Sequence, residues 1–200
     1  MFKTRTLLAG LSLALLLPFA QAAHAAQSAL ETFKQRHGEV TKLVKAEAPN
    51  EELAKSVDSL LNYKELAVRS LGGEAHYTER CAPKCDEFET LLANLIRRNY
   101  LDRIRTSKKY DVVYVGEEAK EDYTKVLTRV TFESDGRPQS VEVAYKMTRE
   151  GEAWRVVDII TDGVSLSRTY KYEFKKTHEA SGIDGLISKL KDKLAELEAE

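Results

Sequence analysis

Two spacings of apolar residues divide this chain. Up to about residue 105, apolar residues recur every three or four positions, a spacing that predicts α-helices. From residue 110 to residue 161, apolar and polar residues largely alternate, which predicts β-strands. Helical spacing returns after residue 165. This order predicts an α+β fold in which helices cover one side of a curved antiparallel sheet.

Four helices are predicted before the strands. The first starts at the capping-box pattern of Ser28 and Glu31, and the second starts at Asn50, which is a suitable cap. The third covers residues 63–71 and stops at a pair of glycines. The fourth covers about residues 86–105, and its apolar face is broad enough to cover a sheet.

About four strands are predicted, because turn signals such as Gly116-Glu117 separate the alternating segments. Short connections of this kind join antiparallel neighbours. The alternation predicts one apolar face, which includes Val130 and Val143, and one polar face. The predicted strands cover residues 110–115, 123–133, 139–149 and 154–161.

The last predicted strand runs into a helix. Asp162-Gly163 breaks the strand, and Ser165 is a candidate N-cap for a helix that carries Tyr170 and Phe174 on one face. A final helix is predicted from Ile183, with leucines on one stripe among Lys and Glu residues.

The N-terminus has the three parts of a secretory signal. A basic start precedes an apolar run over residues 7–19, and Ala23-His24-Ala25 offers a small-x-small cleavage site. The run is shorter than the roughly 20 residues that a membrane-spanning helix needs. We therefore predict a cleaved signal peptide over residues 1–25, a single domain over residues 26–200, and a bacterial periplasmic location.

The charge of the chain is nearly balanced. It has 31 Lys and Arg residues against 32 Asp and Glu residues, which gives a formal net charge of −1 at pH 7. No dense basic tract is present. This balance argues against a nucleic acid as a partner.

The two cysteines, Cys81 and Cys85, lie close together with Pro83 between them. In an oxidising compartment this pattern predicts a local disulfide. A redox motif more typically has two intervening residues, and a metal site would need ligands that no nearby residue except His76 supplies. So small a ring restrains the unfolded chain little, so we expect the disulfide to hold a loop rather than stabilise the domain.

Candidate catalytic residues are few. His37, His76 and His178 follow the predicted signal, and none stands in a recognisable nucleophile pattern. Asp158 and Asp162 form a carboxylate pair at the end of the last predicted strand, where turn chemistry is favoured over general acid–base catalysis. The starting hypothesis is therefore a binding protein with an apolar ligand, no metal and no cofactor.

The strand-turn-helix and the residues after it carry a more specific pattern. Its pieces, in order, are Trp154-Arg155-Val156-Val157-Asp158-Ile159-Ile160, Asp162-Gly163-Val164-Ser165-Leu166, Tyr170, Phe174 and Gly182-Ile183-Asp184-Gly185-Leu186. This string resembles the C-terminal signature of the MlaC family of periplasmic phospholipid carriers, also called the toluene-tolerance family. Looser matches at Asn62-Tyr63, Leu71-Gly72 and Arg98-Asn99-Tyr100 extend the resemblance over the mature chain.

The resemblance implies a fold and a function. The fold would be a nuclear-transport-factor-like cone with an apolar cavity between helices and sheet. The protein would be a soluble, monomeric carrier rather than an enzyme, with bound phospholipid as its cargo. It would shuttle lipid between an outer-membrane lipoprotein complex and an inner-membrane ABC transporter complex, and so maintain outer-membrane lipid asymmetry.

The resemblance also implies which residues line the cavity, namely the apolar residues of the long helix, the inner sheet face and the helix after the last strand. Two alternatives stay open: a carrier of hopanoids or other polycyclic lipids, and an enzyme on the same cone-like fold. In a protein without a cavity, the same side chains would fill an ordinary core. The predicted lipid-binding residues are Leu92, Leu95, Ile96, Val130, Phe132, Val141, Val143, Tyr145, Met147, Val156, Ile160, Val164, Leu166, Tyr170 and Phe174.

Overall fold

A computed structural model describes residues 27–106, 110–134 and 136–199. The predicted signal peptide, residues 1–25, lies outside the described residues. Within the described ranges, no helix has both the length and the apolar character required to cross a membrane.

The described chain is an α+β fold, as predicted. The helices are α1 (Ala29–Lys45), α2 (Asn50–Leu60), α3 (Tyr63–Ser70), α4 (Glu74–Cys81), α5 (Cys85–Thr106) and α6 (Leu166–Ala199). The strands are β1 (Tyr110–Ala119), β2 (Thr124–Ser134), β3 (Arg137–Glu150), β4 (Ala153–Thr161) and β5 (Val164–Ser165). The strands form one antiparallel sheet in the order of the sequence.

Local side-chain hydrogen bonds explain where several helices begin. Ser28 caps α1 in a complete capping box with Glu31, as predicted. The prediction for α2 was wrong in detail, because Asn50 is the first helical residue and Pro49 occupies the cap position without a side-chain hydrogen bond. The cap on α3 is Asn62, whose side chain accepts a hydrogen bond from the Glu65 amide.

Helix α4 was not predicted from the sequence. Its eight residues bury only Tyr77 and Cys81, so its apolar pattern is too short for a periodicity to appear. The predicted disulfide between Cys81 and Cys85 is present, with 4.6 Å between the Cα atoms. It joins the end of α4 to the start of α5.

The first strand is longer than predicted. The sequence suggested a turn at Gly116-Glu117, but β1 continues to Ala119 through a bulge between Tyr114 and Gly116. Because opposite residues of an antiparallel pair share a face, the bulge turns Glu117 to the same side as Val126. There the Glu117 carboxylate accepts a hydrogen bond from the Leu30 amide, in the first turn of α1.

The inner face of the sheet is the apolar face that the alternation predicted. It packs against the helices, as shown by the Phe33 ring of α1, whose centroid lies 4.2 Å from that of Tyr145. Phe33, Val126 and Met147 are fully buried there. The residue pairs of this face are Thr124 with Met147, Val126 with Tyr145, Thr128 with Val143, and Val130 with Val141.

Ile160 was predicted on this inner face, and that prediction was wrong. Strand β4 contains a bulge, because Met147 pairs with Val156 whereas Lys146 pairs with Asp158. The extra residue reverses the alternation beyond it. Ile159 therefore pairs with Tyr145 and faces inward, and Ile160 faces the opposite side.

The turn between β4 and α6 depends on the buried carboxylate of Asp158, which is 3% exposed. Its Oδ1 accepts hydrogen bonds from the Ser167 and Ile159 amides, and its Oδ2 accepts one from the Ser165 hydroxyl at 2.6 Å. The Ser165 oxygen in turn accepts from the Arg168 amide, which confirms the predicted N-cap. The structure thus assigns Asp158 to turn chemistry.

Asp162 has a similar structural role at the edge of the sheet. Its Oδ1 accepts a hydrogen bond from the Glu142 amide, and its own amide donates to the Glu142 carbonyl. Its φ of 47° lies in the left-handed region, which aspartate tolerates better than most residues.

Farther along, α6 is kinked at Gly182, where φ is 62°, next to the predicted helix start at Ile183.

The imidazole of His37 is a titratable group buried against the core. The His37 side chain is 4% exposed, its ring stacks on Phe33 at a centroid distance of 5.2 Å, and its Nδ1 lies 2.8 Å from the Tyr114 hydroxyl. Burial lowers the pKa of His37 from 6.5 to about 4, because the surrounding apolar groups disfavour the charged imidazolium.

We expect Asp158→Ala to lower the free energy of unfolding by about 2–4 kcal/mol, because the Ser165 hydroxyl and the Ser167 amide would lose their buried acceptor. Denaturant titration would measure the change. The matched control is Asp111→Ala, on the exposed part of β1, which should stay within about 0.5 kcal/mol of the parent protein. Equal effects of the two substitutions would contradict the role of Asp158.

We expect His37 to make the fold acid-sensitive. The folded state keeps the imidazole neutral down to about pH 4, whereas the unfolded state takes up a proton near pH 6.5. The unfolded state thus binds more protons between these values, so stability falls as the pH drops from 6.5 to 4, by up to about 3 kcal/mol. Denaturant titrations at several pH values would show this loss, and His37→Gln should reduce it. An unchanged profile in His37→Gln would contradict the assignment.

Candidate functional site

A groove lies between α5 and both parts of the kinked α6. Its volume is about 320 Å³. The floor is apolar, since Leu95, Phe174 and Leu190 are all buried. The Tyr170 ring stacks on Phe174 at a centroid distance of 5.1 Å and continues this floor. The full lining is Leu95, Asn99, Tyr170, Glu173, Phe174, Lys189, Leu190, Lys193, Glu196 and Leu197.

The rim of the groove is charged with both signs. Glu173 and Glu196 provide carboxylates, and Lys189 and Lys193 provide ammonium groups. The Lys193 Nζ atom lies 2.6 Å from a Glu196 carboxylate oxygen. An apolar floor below a rim of mixed charge suits a ligand with apolar chains and a polar end that remains near solvent.

The inner face of the sheet changes character along its length. Toward Met147 and Val156 the side chains are fully buried. At the other end of the face, where β2 ends and β3 begins, the apolar side chains are only half-buried. We call this region the half-buried end of the sheet and define it by Tyr110, Val130, Phe132 and Val141. It is where apolar surface of the inner face reaches toward solvent.

The predicted lipid-binding residues therefore fall into separate groups. Three of them, Leu95, Tyr170 and Phe174, meet in the groove. Three more, Val130, Phe132 and Val141, lie at the half-buried end of the sheet. Leu166 is half-buried at the first residue of α6. The remaining buried residues of the set belong to the core and are Leu92, Ile96, Val143, Tyr145, Met147 and Val156.

Two residues of that set do not belong to the interior. Ile160 faces the outer side of the sheet because of the β4 bulge. Val164 is 64% exposed, because it lies in the two-residue strand β5 at the sheet edge. An exposed side chain at an edge cannot line an enclosed apolar wall, so both predictions were wrong.

Sequence reasoning missed a group of tyrosines beside the apolar wall. Tyr110, Tyr114 and Tyr145 share the inner face of the sheet, and Tyr100 of α5 lies within electrostatic reach of all three. Burial raises the pKa of Tyr100 well above its ordinary value and also raises that of Tyr145, so both hydroxyls stay protonated. The alternation of Tyr110, Val112 and Tyr114 was a usable signal, but it was used only to predict a strand over residues 110–115.

A second depression lies between α4 and α6, with a volume of about 230 Å³. Charged and polar side chains line it, among them Arg80, Lys175 and His178. The His178 Nε2 atom is already within 3.0 Å of the Arg80 carbonyl oxygen. This polar lining does not suit acyl chains.

The described residues show no group of three or more His, Cys, Asp or Glu side chains arranged to hold a metal ion. Asp158, the strongest acid–base candidate in the sequence, is buried and makes three hydrogen bonds to its own turn. The groove is the described cavity whose apolar floor suits an apolar ligand.

Comparison with solved structures finds a close match in fold. A phospholipid-binding protein from Ralstonia solanacearum, described in complex with a phospholipid, superposes with a TM-score of 0.69 at 23% sequence identity. The match covers 86% of this chain and 99% of that chain. Among curated proteins, none matches this sequence.

The family comparison covers most of the chain. The model of the family described as MlaC protein matches residues 24–192, which include all the strands and nearly all the helical residues of the structure. The match thus extends well beyond the signature between Trp154 and Leu186, and the chain belongs to the MlaC protein family.

Proposed function

We propose that this protein is a phospholipid carrier that holds acyl chains between its helices and the inner face of its sheet. The observation that carries the proposal is the groove with an apolar floor and a charged rim, in a chain of the MlaC family. The structural neighbour from Ralstonia solanacearum, described in complex with a phospholipid, adds support through its shared fold.

The energetics of lipid transfer favour a carrier of this design. At roughly 0.8 kcal/mol per buried methylene, a two-chain lipid with about 30 methylenes loses about 24 kcal/mol of gross transfer energy if it leaves a bilayer for water. A protein must therefore offer an apolar environment of comparable extent. The buried floor of the groove and the inner face of the sheet supply apolar surface on adjoining elements.

Accommodating such a lipid requires the helices to separate. If each methylene needs about the 30 Å³ that a water molecule occupies, about 30 methylenes need on the order of 900 Å³. The groove offers about 320 Å³. The acyl chains therefore need space beyond the groove, and we propose that α5 and the inner face of the sheet separate to provide it.

The proposal includes a location and partners. The secretory signal predicted over residues 1–25 would direct the protein to the periplasm, where the signal is removed. There it would take lipid from one membrane and deliver it to the other, through transient contacts with an outer-membrane lipoprotein complex and an inner-membrane ABC transporter complex. No cofactor is needed for transfer of this kind, and we propose no catalytic step.

We expect the protein, purified from the periplasm of cells without detergent, to contain glycerophospholipid. Solvent extraction followed by mass spectrometry would identify the lipid and its amount per protein molecule. Polycyclic lipid in place of glycerophospholipid would favour the hopanoid-carrier alternative. Protein that contains no lipid, and that accepts none from liposomes, would contradict the proposed function.

The two faces of the sheet provide a matched pair of substitutions. Val141 lies at the half-buried end of the inner face, whereas Val113 is 56% exposed on the outer face. We expect Val141→Trp to reduce bound lipid by about twofold or more, because the larger ring occupies space next to the acyl chains. Val113→Trp should leave the load unchanged. Equal lipid loads in both variants, measured by extraction from folded protein, would contradict the placement of the chains.

A further inference from the structure

Two tyrosine hydroxyls are closed off from solvent without a hydrogen-bond partner. The hydroxyl oxygens of Tyr100 and Tyr110 each have less than 1 Å² of exposed surface, and neither bonds to any of the described residues. Buried tyrosine hydroxyls usually find a partner, because an unsatisfied buried donor costs free energy.

Other tyrosines of the same chain follow the usual rule. The Tyr114 hydroxyl lies 2.8 Å from His37 Nδ1, and the Tyr63 hydroxyl donates to Asp58 at 2.8 Å. The fold therefore supplies hydrogen-bond partners for the hydroxyls of Tyr63 and Tyr114. The hydroxyls of Tyr100 and Tyr110 differ from this pattern. Each can donate a hydrogen bond to a group that does not belong to the described chain.

The two hydroxyls lie toward the half-buried end of the sheet, where the inner face approaches solvent. Tyr110 begins β1 and pairs with Phe132, at the half-buried end of the sheet. Tyr100 belongs to α5 and lies within electrostatic reach of Tyr110. Deeper along the same face the side chains, such as Val126 and Met147, are fully buried. Acyl chains that point into the core would thus place their carboxyl ends near these hydroxyls.

We infer that the hydroxyls of Tyr100 and Tyr110 donate hydrogen bonds to acceptor oxygens of the bound lipid. The inference rests on the proposed function and deepens it. The acceptor is either an acyl-ester carbonyl or a phosphate oxygen, since a saturated acyl chain offers no acceptor. An ester carbonyl is the nearest acceptor to the chains themselves. In this arrangement the apolar wall holds the chains, and the two tyrosines fix how deeply they enter.

The test uses two substitutions that remove only hydroxyl groups. The variant Tyr100→Phe with Tyr110→Phe keeps both rings, and the matched control is Tyr172→Phe, whose side chain is 77% exposed. Binding of each protein to phosphatidylcholine with two ester-linked chains is compared with binding to the analogue with two ether-linked chains of equal length. A second comparison, phosphatidic acid against diacylglycerol, tests the phosphate.

If the ester carbonyls are the acceptors, the parent protein and Tyr172→Phe bind the ester lipid more tightly than the ether lipid. The difference should be about three- to tenfold in Kd per hydroxyl, and the double variant should lose it. If the phosphate is the acceptor, the preference for phosphatidic acid over diacylglycerol is the one that the double variant loses. Either result supports the inference and identifies the acceptor.

Thermal unfolding gives an independent readout. A buried hydroxyl without a partner does not stabilise protein stripped of lipid and costs free energy, so the stripped double variant should unfold at the same temperature as the parent or at a higher one. With ester lipid bound, the double variant should unfold at a lower temperature than the parent with the same lipid.

Three results would overturn the inference or its basis. Lipid preferences that are the same in the double variant and the parent would overturn the inference and leave the proposed function intact. A stripped double variant that is less stable than the stripped parent would also overturn it, because the hydroxyls would then have structural partners. A parent protein that binds none of the four lipids would overturn the proposed function itself.

Discussion

The structure depends on the alternation of faces along its strands and on two bulges that reset this alternation. A strand turns successive side chains to opposite faces, so one additional residue exchanges the faces for every residue beyond it. Strand β1 has such a bulge after Tyr114, and β4 has one next to Val156. Each bulge places a carboxylate where a helix begins. Glu117 reaches the first turn of α1, and Asp158 reaches Ser165 and Ser167 at the start of α6.

This constraint joins the fold to the candidate site. Without the β4 bulge, Asp158 would share the inner face with Val156, where a carboxylate would be buried among apolar side chains at a large cost. With the bulge, Asp158 turns to the face of Ile160, which pairs with Ser165. Ile159 then occupies the inner position opposite Tyr145. The inner face of the sheet thereby stays apolar. At the same time, the Asp158 carboxylate accepts hydrogen bonds in the turn that starts α6.

Much of the fold could be predicted from the sequence, because long periodic segments carry their own signal. The α+β class, the apolar face of β2 and β3, the capping box at Ser28 and the N-cap at Ser165 all follow from local patterns and are present. The disulfide was predicted from the spacing of the two cysteines and from the predicted oxidising compartment, and it is present. Helix α4 was missed because eight residues hold too few periods to be recognised.

The candidate site was less predictable, because its geometry depends on contacts between distant segments. Ile160 was placed on the wrong face since a bulge of one residue leaves no trace in the spacing of the apolar residues around it. Val164 was predicted to bind lipid because it belongs to the string that resembles the family signature, yet it is exposed at a sheet edge. The sequence also gives no sign of whether a buried tyrosine hydroxyl has a partner. Tyr100 and Tyr114 look alike in the sequence, and only the fold brings His37 to one of them.

The close packing of the inner face of the sheet affects how tightly a carrier of this fold would bind its lipid. Met147 and Val156 are fully buried against neighbouring apolar side chains. Acyl chains that separate such side chains remove contacts that the protein already makes, so the lost contacts subtract from the gross transfer energy of about 24 kcal/mol. The net affinity is therefore well below the gross value. A carrier requires this balance, because a protein that retained the full transfer energy could not release its lipid to a second membrane.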